Sequence, residues 1–391
     1  MDLEEALLQA SVQWLAEDDA HEVFYLVPNH MKFEQEINAL KRIKTIQNNQ
    51  SDSIATMRFQ VFSFYRLAWY YLQHTQFYSS EVLTEAGAAM VFRKILSENE
   101  EALKVFRGEV NKSGFIQQLF DLYQEIKEGN VDLDDLFAHL SGANSDSKEQ
   151  DLQLKIQDIK LVFSKFEETM SQYGIKSAEI INYLTDYLET KDLSHVLFVV
   201  NGYHNFSARE LKLLDTLMRR GGQVKISLVL DKKYPNDVPP LMNLFYETGT
   251  TYYKLYQLAR NSNVAILPDY VEQKKKLIKN DSLQTLEKYW VNAQESHTKK
   301  VKEQINDDHL QFWCAENPKE EINHIAKEIR RLVVEENYRY KDIQVLTREL
   351  DSYETMIEPL FSMHEIPVYL DRDMAMEQHP LVEFIQSLFA I

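Results

Sequence analysis

Apolar positions along this chain repeat with two different periods, and the switches between them mark its elements. Leu3, Leu7, Ala10 and Trp14 recur at helical spacing, so the sequence predicts a helix at its start. VFYLV, Val23 to Val27, is an unbroken apolar run of the kind found in a strand covered on both faces. Pro28 ends the run, Asn29 to Lys32 read as a loop, and FEQEINALKRIK returns to helical spacing. A second unit follows in Arg58 to Leu72, RFQVFSFYRLAWYYL. There Phe59, Val61 and Ser63 alternate with Gln60 and Phe62, and aromatic and β-branched residues favour a pleat. Leu67, Ala68, Tyr71 and Leu72 then share a helical face. Two strand–loop–helix units in tandem predict a parallel sheet, hence an α/β fold.

From Ser79 to Leu188 the period is helical throughout. VLTEAGAAMVFRKILSE, SGFIQQLFDLYQEIKEG, LDDLFAHL, LQLKIQDIKLVFSKFEETMSQYG and SAEIINYLTDYLE are amphipathic helices, with a polar loop at Ser141 to Gln150. The block reads as a helical insertion in an α/β domain. The sheet resumes with a strand at Val196 to Val200, a turn at Asn201 to Asn205, and Ser207 as N-cap of a helix over Ala208 to Arg219. Further strands are expected at Gln223 to Leu230 and Val264 to Leu267. Helical spacing fills LMNLFYETGTTYYKLYQLARNS between them, and Asp269 to Val301 is charged and reads as peripheral. A new unit starts at His309 to Cys314, with a helix in PKEEINHIAKEIRRLVVEE and strands at Ile343 to Arg348 and Val368 to Leu370. The last helix, HPLVEFIQSLFAI, stops without a cap, the pattern of a chain cut from something longer.

At 391 residues the chain is long enough for two or three domains. A formal charge of −18 opposes nonspecific adhesion to nucleic acid or anionic lipid, so any such contact has to be a local patch. The single cysteine, Cys314, excludes an internal disulfide and a site built from several thiolates, and it fits a reducing cytoplasm. The acidic, helical N-terminal stretch is not a signal peptide, and no apolar run is long enough to span a bilayer.

The sequence lacks several catalytic signatures. None of the ten glycines is followed by Lys, so there is no GxxxxGK[ST] phosphate loop. Where a motor strand ends in acidic residues that hold magnesium, this one reads FVVNGYHNF, with Asn201 and Gly202. HExxH, CxxC and GxSxG are absent as well. His30, His195 and His204 fall at strand edges without a ligand cluster around them. Asp269, Glu272 and Lys274 faintly resemble a nuclease triad, but they crowd together in a charged stretch and read as solvated, as do Lys274 to Lys276 and Lys299 to Lys300.

Single-stranded DNA binding requires cations that track phosphates and rings on which bases stack. Three loops that follow strands of one sheet carry such residues: His30 and Lys32; Phe64, Arg66 and Trp69; and Tyr203, His204 and Phe206. A strand that runs directly into a helix places its junction at the carboxyl edge of the sheet, where α/β proteins bind ligands. Arg66 and Trp69, three apart, share a helical face. Core packing is the commoner role for such rings, since aromatic side chains are mostly buried.

FYLVPNHMKFEQEINAL, RFQVFSFYRLAW, NKSGFIQQLFDLYQEIKEG, FVVNGYHNFSAREL, LFYETGTTYYKLYQLA and YRYKDIQVLTRELDSYE resemble, in order and over essentially the whole chain, the N-terminal half of the AddB/RexB subunit of the bacterial AddAB (RexAB) helicase–nucleases. The resemblance implies a superfamily 1 helicase-like fold. A degenerate first motor domain would comprise residues 1–75 and 194–298, a helical insertion 76–193, and the start of a second motor domain 299–391. It implies a cytoplasmic, nucleoid-associated repair protein whose motor activity is lost. It would pair with an AddA/RexA-type subunit and scan single-stranded DNA for the recombination hotspot Chi. Carried over residue by residue, the DNA-binding positions are Asn29, His30 and Lys32, then Phe64, Arg66 and Trp69, and Phe206 in the third loop. No catalytic, metal or nucleotide site is expected in this stretch, magnesium being implied for the family's C-terminal nuclease domain. Many relatives begin with a strand and a phosphate loop, whereas this chain starts on the following helix. Family members often carry Asp-Gln-Met-Thr where this one has Asn29-His30-Met31-Lys32. The alternative reading is a scaffold that docks the motor subunit without touching DNA.

Overall fold

The computed structural model describes residues 3–46, 57–75, 85–109, 112–129, 131, 135, 147–173, 180–271, 281–295, 310–370 and 379–389. The chain divides into two compact units, Met1–Lys302 and Glu303–Ile391.

Among the described residues the first unit is built on four parallel strands: β1 (Glu22–Leu26), β2 (Phe59–Phe62), β3 (Val196–Val200) and β4 (Gln223–Ile226), in the order β2-β1-β3-β4. Leu26 lies opposite Phe62 on one side and Val200 on the other, and Val200 lies opposite Ile226, so all four strands end level. Successive side chains alternate between the two faces of the sheet. One face presents Val23, Tyr25, Phe59, Val61, Leu197 and Val199. Helices α1 (Leu3–Glu17) and α2 (Lys32–Ile46) cover it, burying Leu8, Ala39 and Ile43. The other face presents Phe24, Leu26, Val196, Phe198 and Val200. It is covered by α3 (Phe64–Leu72), by α7 (Ile180–Leu188) through Ile181, Leu184 and Leu188, and by α8 (Ala208–Arg219) through Leu213, Leu214 and Leu217. Burial on both faces explains why β1 and β3 read as unbroken apolar runs. The α/β reading holds. α2 carries the chain from β1 to β2 over one face, and α8 carries it from β3 to β4 over the other in the opposite direction. Reversing direction and switching face together keep a single hand for both crossovers.

Between β2 and β3 lie α4 (Glu85–Glu98), α5 (Ser113–Glu128) and α6 (Ser147–Tyr173), with a core of their own. Phe92 stacks on Phe166 at 4.2 Å, and Tyr123 meets Phe166 edge-on at 4.9 Å. The start of α6 takes up the last four residues of the expected loop at 141–150. The expected helix at 133–140 lies outside the described residues apart from Asp135. α7 follows the inserted helices in sequence but buries its apolar residues in the sheet core.

Three expected strands are corrected. Val264–Leu267, Ile343–Arg348 and Val368–Leu370 join no ladder among the described residues, and β4 stops at Ile226 rather than Leu230. β-propensity is a local property, whereas a strand needs a hydrogen-bonding neighbour. Val345, Leu346 and Tyr369 are accordingly exposed. After β4 the first unit continues through α9 (Tyr246–Asn261) and α10 (Asp281–Glu295). Asp269 accepts a hydrogen bond from Tyr252 and pairs with Lys233, while Glu272, the other lysines at 274–276 and those at 299–300 lie outside the described residues.

The second unit packs α11 (Pro318–Glu335) on α12 (Asp351–Met363) through Ile322, Ala326, Ile329, Leu360, Phe361 and Ile366. Asn317 caps α11, accepting from the Glu320 N–H at 3.0 Å, and Pro318 occupies the first turn, where its missing N–H costs nothing. α13 (Pro380–Phe389) buries none of its residues. Among the described residues no helix is long and apolar enough to cross a membrane, and no group of three or more His, Cys, Asp or Glu gathers to hold a metal ion.

One buried charge fixes the inserted helices. Asp158 on α6 is 2% exposed. Its carboxylate accepts from the backbone N–H groups of Lys104, Val105 and Phe106 at 2.8–3.0 Å, holding the turn after α4. Asp158→Ala would remove the acceptor of all three N–H groups, with a loss of about 1–2 kcal/mol expected in urea unfolding followed by circular dichroism.

Candidate nucleic-acid interface

Because β1, β2 and β3 are parallel and end level, their outgoing loops meet at one edge. Main-chain hydrogen bonds extend the ladder into these loops. Val27 N–H donates to Phe62 O, and Asn201 N–H to Leu26 O, both at 2.9 Å. The first loop turns at Pro28 into a 3-10 turn, Asn29–Met31, with Lys32 opening α2, so the expected four-residue loop is partly helical. In the second, Ser63 has extended backbone and its Oγ accepts from the Arg66 N–H at 3.3 Å, capping α3. The same hydroxyl lies 3.5 Å from Asn29 Oδ1. In the third loop, Gly202 has φ +80°, and a Cβ there would sit 3.3 Å from Pro28 Cδ and 3.5 Å from Met31 Sδ. Glycine is required both for the turn and for this approach.

Tyr203 ties the three loops together. Its hydroxyl donates to Val27 O at 3.0 Å, and its ring lies 5.2 Å from that of Phe64. Burial pushes its pKa well above the usual tyrosine range; the Glu210 carboxylate adds to this and the Phe64 N–H opposes it. The third loop is also fastened from behind by α9. Thr251 Oγ1 donates to His204 O at 2.9 Å, and Asn205 Nδ2 to Glu247 Oε1 at 2.6 Å.

The seven sequence-derived positions separate into two layers. Asn29, His30 and Arg66 are exposed, and Lys32 and Trp69 are half-buried. Arg66 lies flat against Trp69, its guanidinium carbon 4.0 Å from the ring centre. Phe64 and Phe206, by contrast, are 1% and 8% exposed. With Tyr203 they form a ring cluster at centroid distances of 5.2–6.2 Å, continuous with the sheet core. These two phenylalanines are the floor beneath the edge and not its surface. Sequence reasoning passed over two exposed rings, Tyr65 at 54% and Phe33 at 78% exposure. The helical period could have found Tyr65, since Phe64, Leu67, Ala68 and Leu72 claim the core side of α3.

At the end of β3, where a motor strand presents acidic residues, Asn201 Oδ1 accepts instead from Ser227 Oγ at 2.5 Å. The edge therefore offers a neutral amide–hydroxyl pair at that point, next to flat rings and exposed cations.

The family model described as "ADDB, N-terminal" matches residues 4–287. The chain belongs to the AddB N-terminal family. A second model, "UvrD-like helicase C-terminal domain", matches residues 275–376 of this AddB-family chain and agrees with a helicase-like fold. Its relatives include proteins named as the B-type subunit of an ATP-dependent helicase/deoxyribonuclease. That of Enterococcus faecalis is 60% identical over 390 residues, covering 100% of this chain and 33% of its own length. Those of Latilactobacillus sakei and Levilactobacillus brevis are 37% and 34% identical, covering 94% and 98% of this chain and 30% and 32% of their own lengths. The AddB-family chain thus spans about a third of these relatives.

Gly202→Ala would strain the left-handed turn and press on Pro28, lowering stability by about 1–2 kcal/mol in thermal melts. The raised pKa of Tyr203 makes a contribution to stability that is complete below the unfolded tyrosine pKa of about 10 and is lost as pH rises beyond it. The Tm of the parent should therefore fall more steeply from about pH 10 to 12 than that of Tyr203→Phe, measured side by side.

Proposed function

We propose that this chain is the N-terminal, helicase-like part of the AddB-type subunit of a helicase/deoxyribonuclease, and that it binds single-stranded DNA along the shared edge of β1, β2 and β3. The observation that carries this reading is the Arg66–Trp69 pair, held outward at the head of α3 by the Ser63 cap beside the first loop. A guanidinium supplies a permanent cation for phosphate or a base edge, and an indole supplies a stacking face. His30 and Lys32 extend the cationic side, and Asn29 adds an amide able to pair with base edges. A local patch of this kind is compatible with an acidic chain. In the working enzyme the patch would take part in reading Chi as the strand passes, in the repair of double-strand breaks.

The same reading makes the chain a passive scanner. Asn201 and Ser227 satisfy each other where carboxylates would be needed, and the sequence has no phosphate loop. Translocation would come from a partner of the AddA/RexA type, and magnesium chemistry would belong to a nuclease domain.

The test is the double variant Arg66→Ala with Trp69→Ala. Binding of a fluorescein-labelled oligonucleotide at fixed salt should weaken by about 30-fold or more, from the loss of one stacking face and one phosphate contact. Unchanged far-ultraviolet circular dichroism would show that the fold persists. Equal affinity in parent and variant would count against DNA binding here, and capture of a partner of the AddA/RexA type without DNA binding would favour a docking scaffold.

A further inference from the structure

Burial takes Phe64 and Phe206 away from any strand lying on the edge, and Arg66 already covers one face of Trp69. A strand held over more than one nucleotide needs further flat surfaces. Tyr65 supplies one. It lies four residues before Trp69, so the two side chains occupy successive turns of the same stripe of α3. The stripe points away from the core set of Phe64, Leu67, Ala68 and Leu72, and Tyr65 is 54% exposed.

Charge distinguishes Tyr65 from Arg66. Burial is the main influence on the Tyr65 hydroxyl, and of its charged neighbours Arg209 acts most strongly, opposed by Glu128 and Glu210. Arg209 is itself 5% exposed and so is turned inward from solvent. The opposing charges near Tyr65 leave its ring to a neutral base, whereas Arg66, over the Trp69 ring, attracts phosphate.

We infer that Tyr65 is a base-stacking residue of this interface, carrying the nucleotide next to the one held by Arg66 and Trp69. The inference rests on the single-stranded DNA reading above and adds a residue to it.

The experiment is fluorescence anisotropy of the full 391-residue chain with a labelled oligonucleotide of about 15 nucleotides at several salt concentrations. Tyr65→Leu keeps apolar bulk and removes the flat ring; affinity should fall about tenfold, with the salt slope unchanged. Tyr65→Phe keeps the ring and should bind within about twofold of the parent. Arg66→Ala, in contrast, should flatten the salt slope by about 0.7, the signature of one lost phosphate contact on a single strand. Photocrosslinking of the unsubstituted chain to an oligonucleotide containing 5-iodouracil should label the peptide that holds Tyr65, and it needs no variant to fold. Full affinity in Tyr65→Leu, an equal loss in Tyr65→Phe, or crosslinks on the edge that spare Tyr65 would each overturn the inference. If the Arg66→Ala and Trp69→Ala double variant weakens binding while Tyr65→Leu does not, DNA binding stands and only Tyr65 is dismissed. If both bind as the parent does, the DNA reading itself fails.

Discussion

All four strands of the sheet run the same way, and this constraint decides where the chemistry of the chain can lie. Parallel pairing with level strand ends delivers the loops after β1, β2 and β3 to one line. Residues near positions 30, 66 and 203 become neighbours there although the inserted helices separate the second from the third. Nothing local to any one loop would create that meeting. It follows from the main-chain ladder and from the apolar layers that hold the sheet between its helices.

The edge is rigid for reasons that can be traced atom by atom. Tyr203 reaches the first loop through its hydroxyl and the second through its ring, Gly202 lets the third loop close on Pro28, and Thr251 and Glu247 fasten that loop from α9. Beneath it, Phe64, Tyr203 and Phe206 fill the space that would otherwise separate loop from core. Residues that face solvent and residues that support them therefore alternate over very short stretches of sequence. Phe64 supports, Tyr65 and Arg66 face out, and Leu67 supports again.

That alternation shows how much could be read in advance. Val23 to Val27 and Val196 to Val200 announced buried strands because burial on two faces leaves no room for polar residues. The gathering of three loops followed from the parallel sheet alone, and Arg66 and Trp69 could be paired from their spacing. The burial of Phe64 and Phe206 could not be read, since a ring at a strand–helix junction suits a core as well as a binding face. It is settled by the packing of Phe64 against Tyr203 and Phe206, which come from a distant segment. The misjudged strands share a cause. Val264–Leu267, Ile343–Arg348 and Val368–Leu370 have the right residues, but pairing depends on a neighbour that composition does not reveal.

Of the two edge strands among the described residues, β2 and β4, β4 is the less buried. It is four residues long, its exposed first residue is Gln223, and Lys225 sits in its middle. A brief, charged border of this kind gives a passing strand from another molecule little to zip onto. This edge is therefore a poor template for a second copy of the chain.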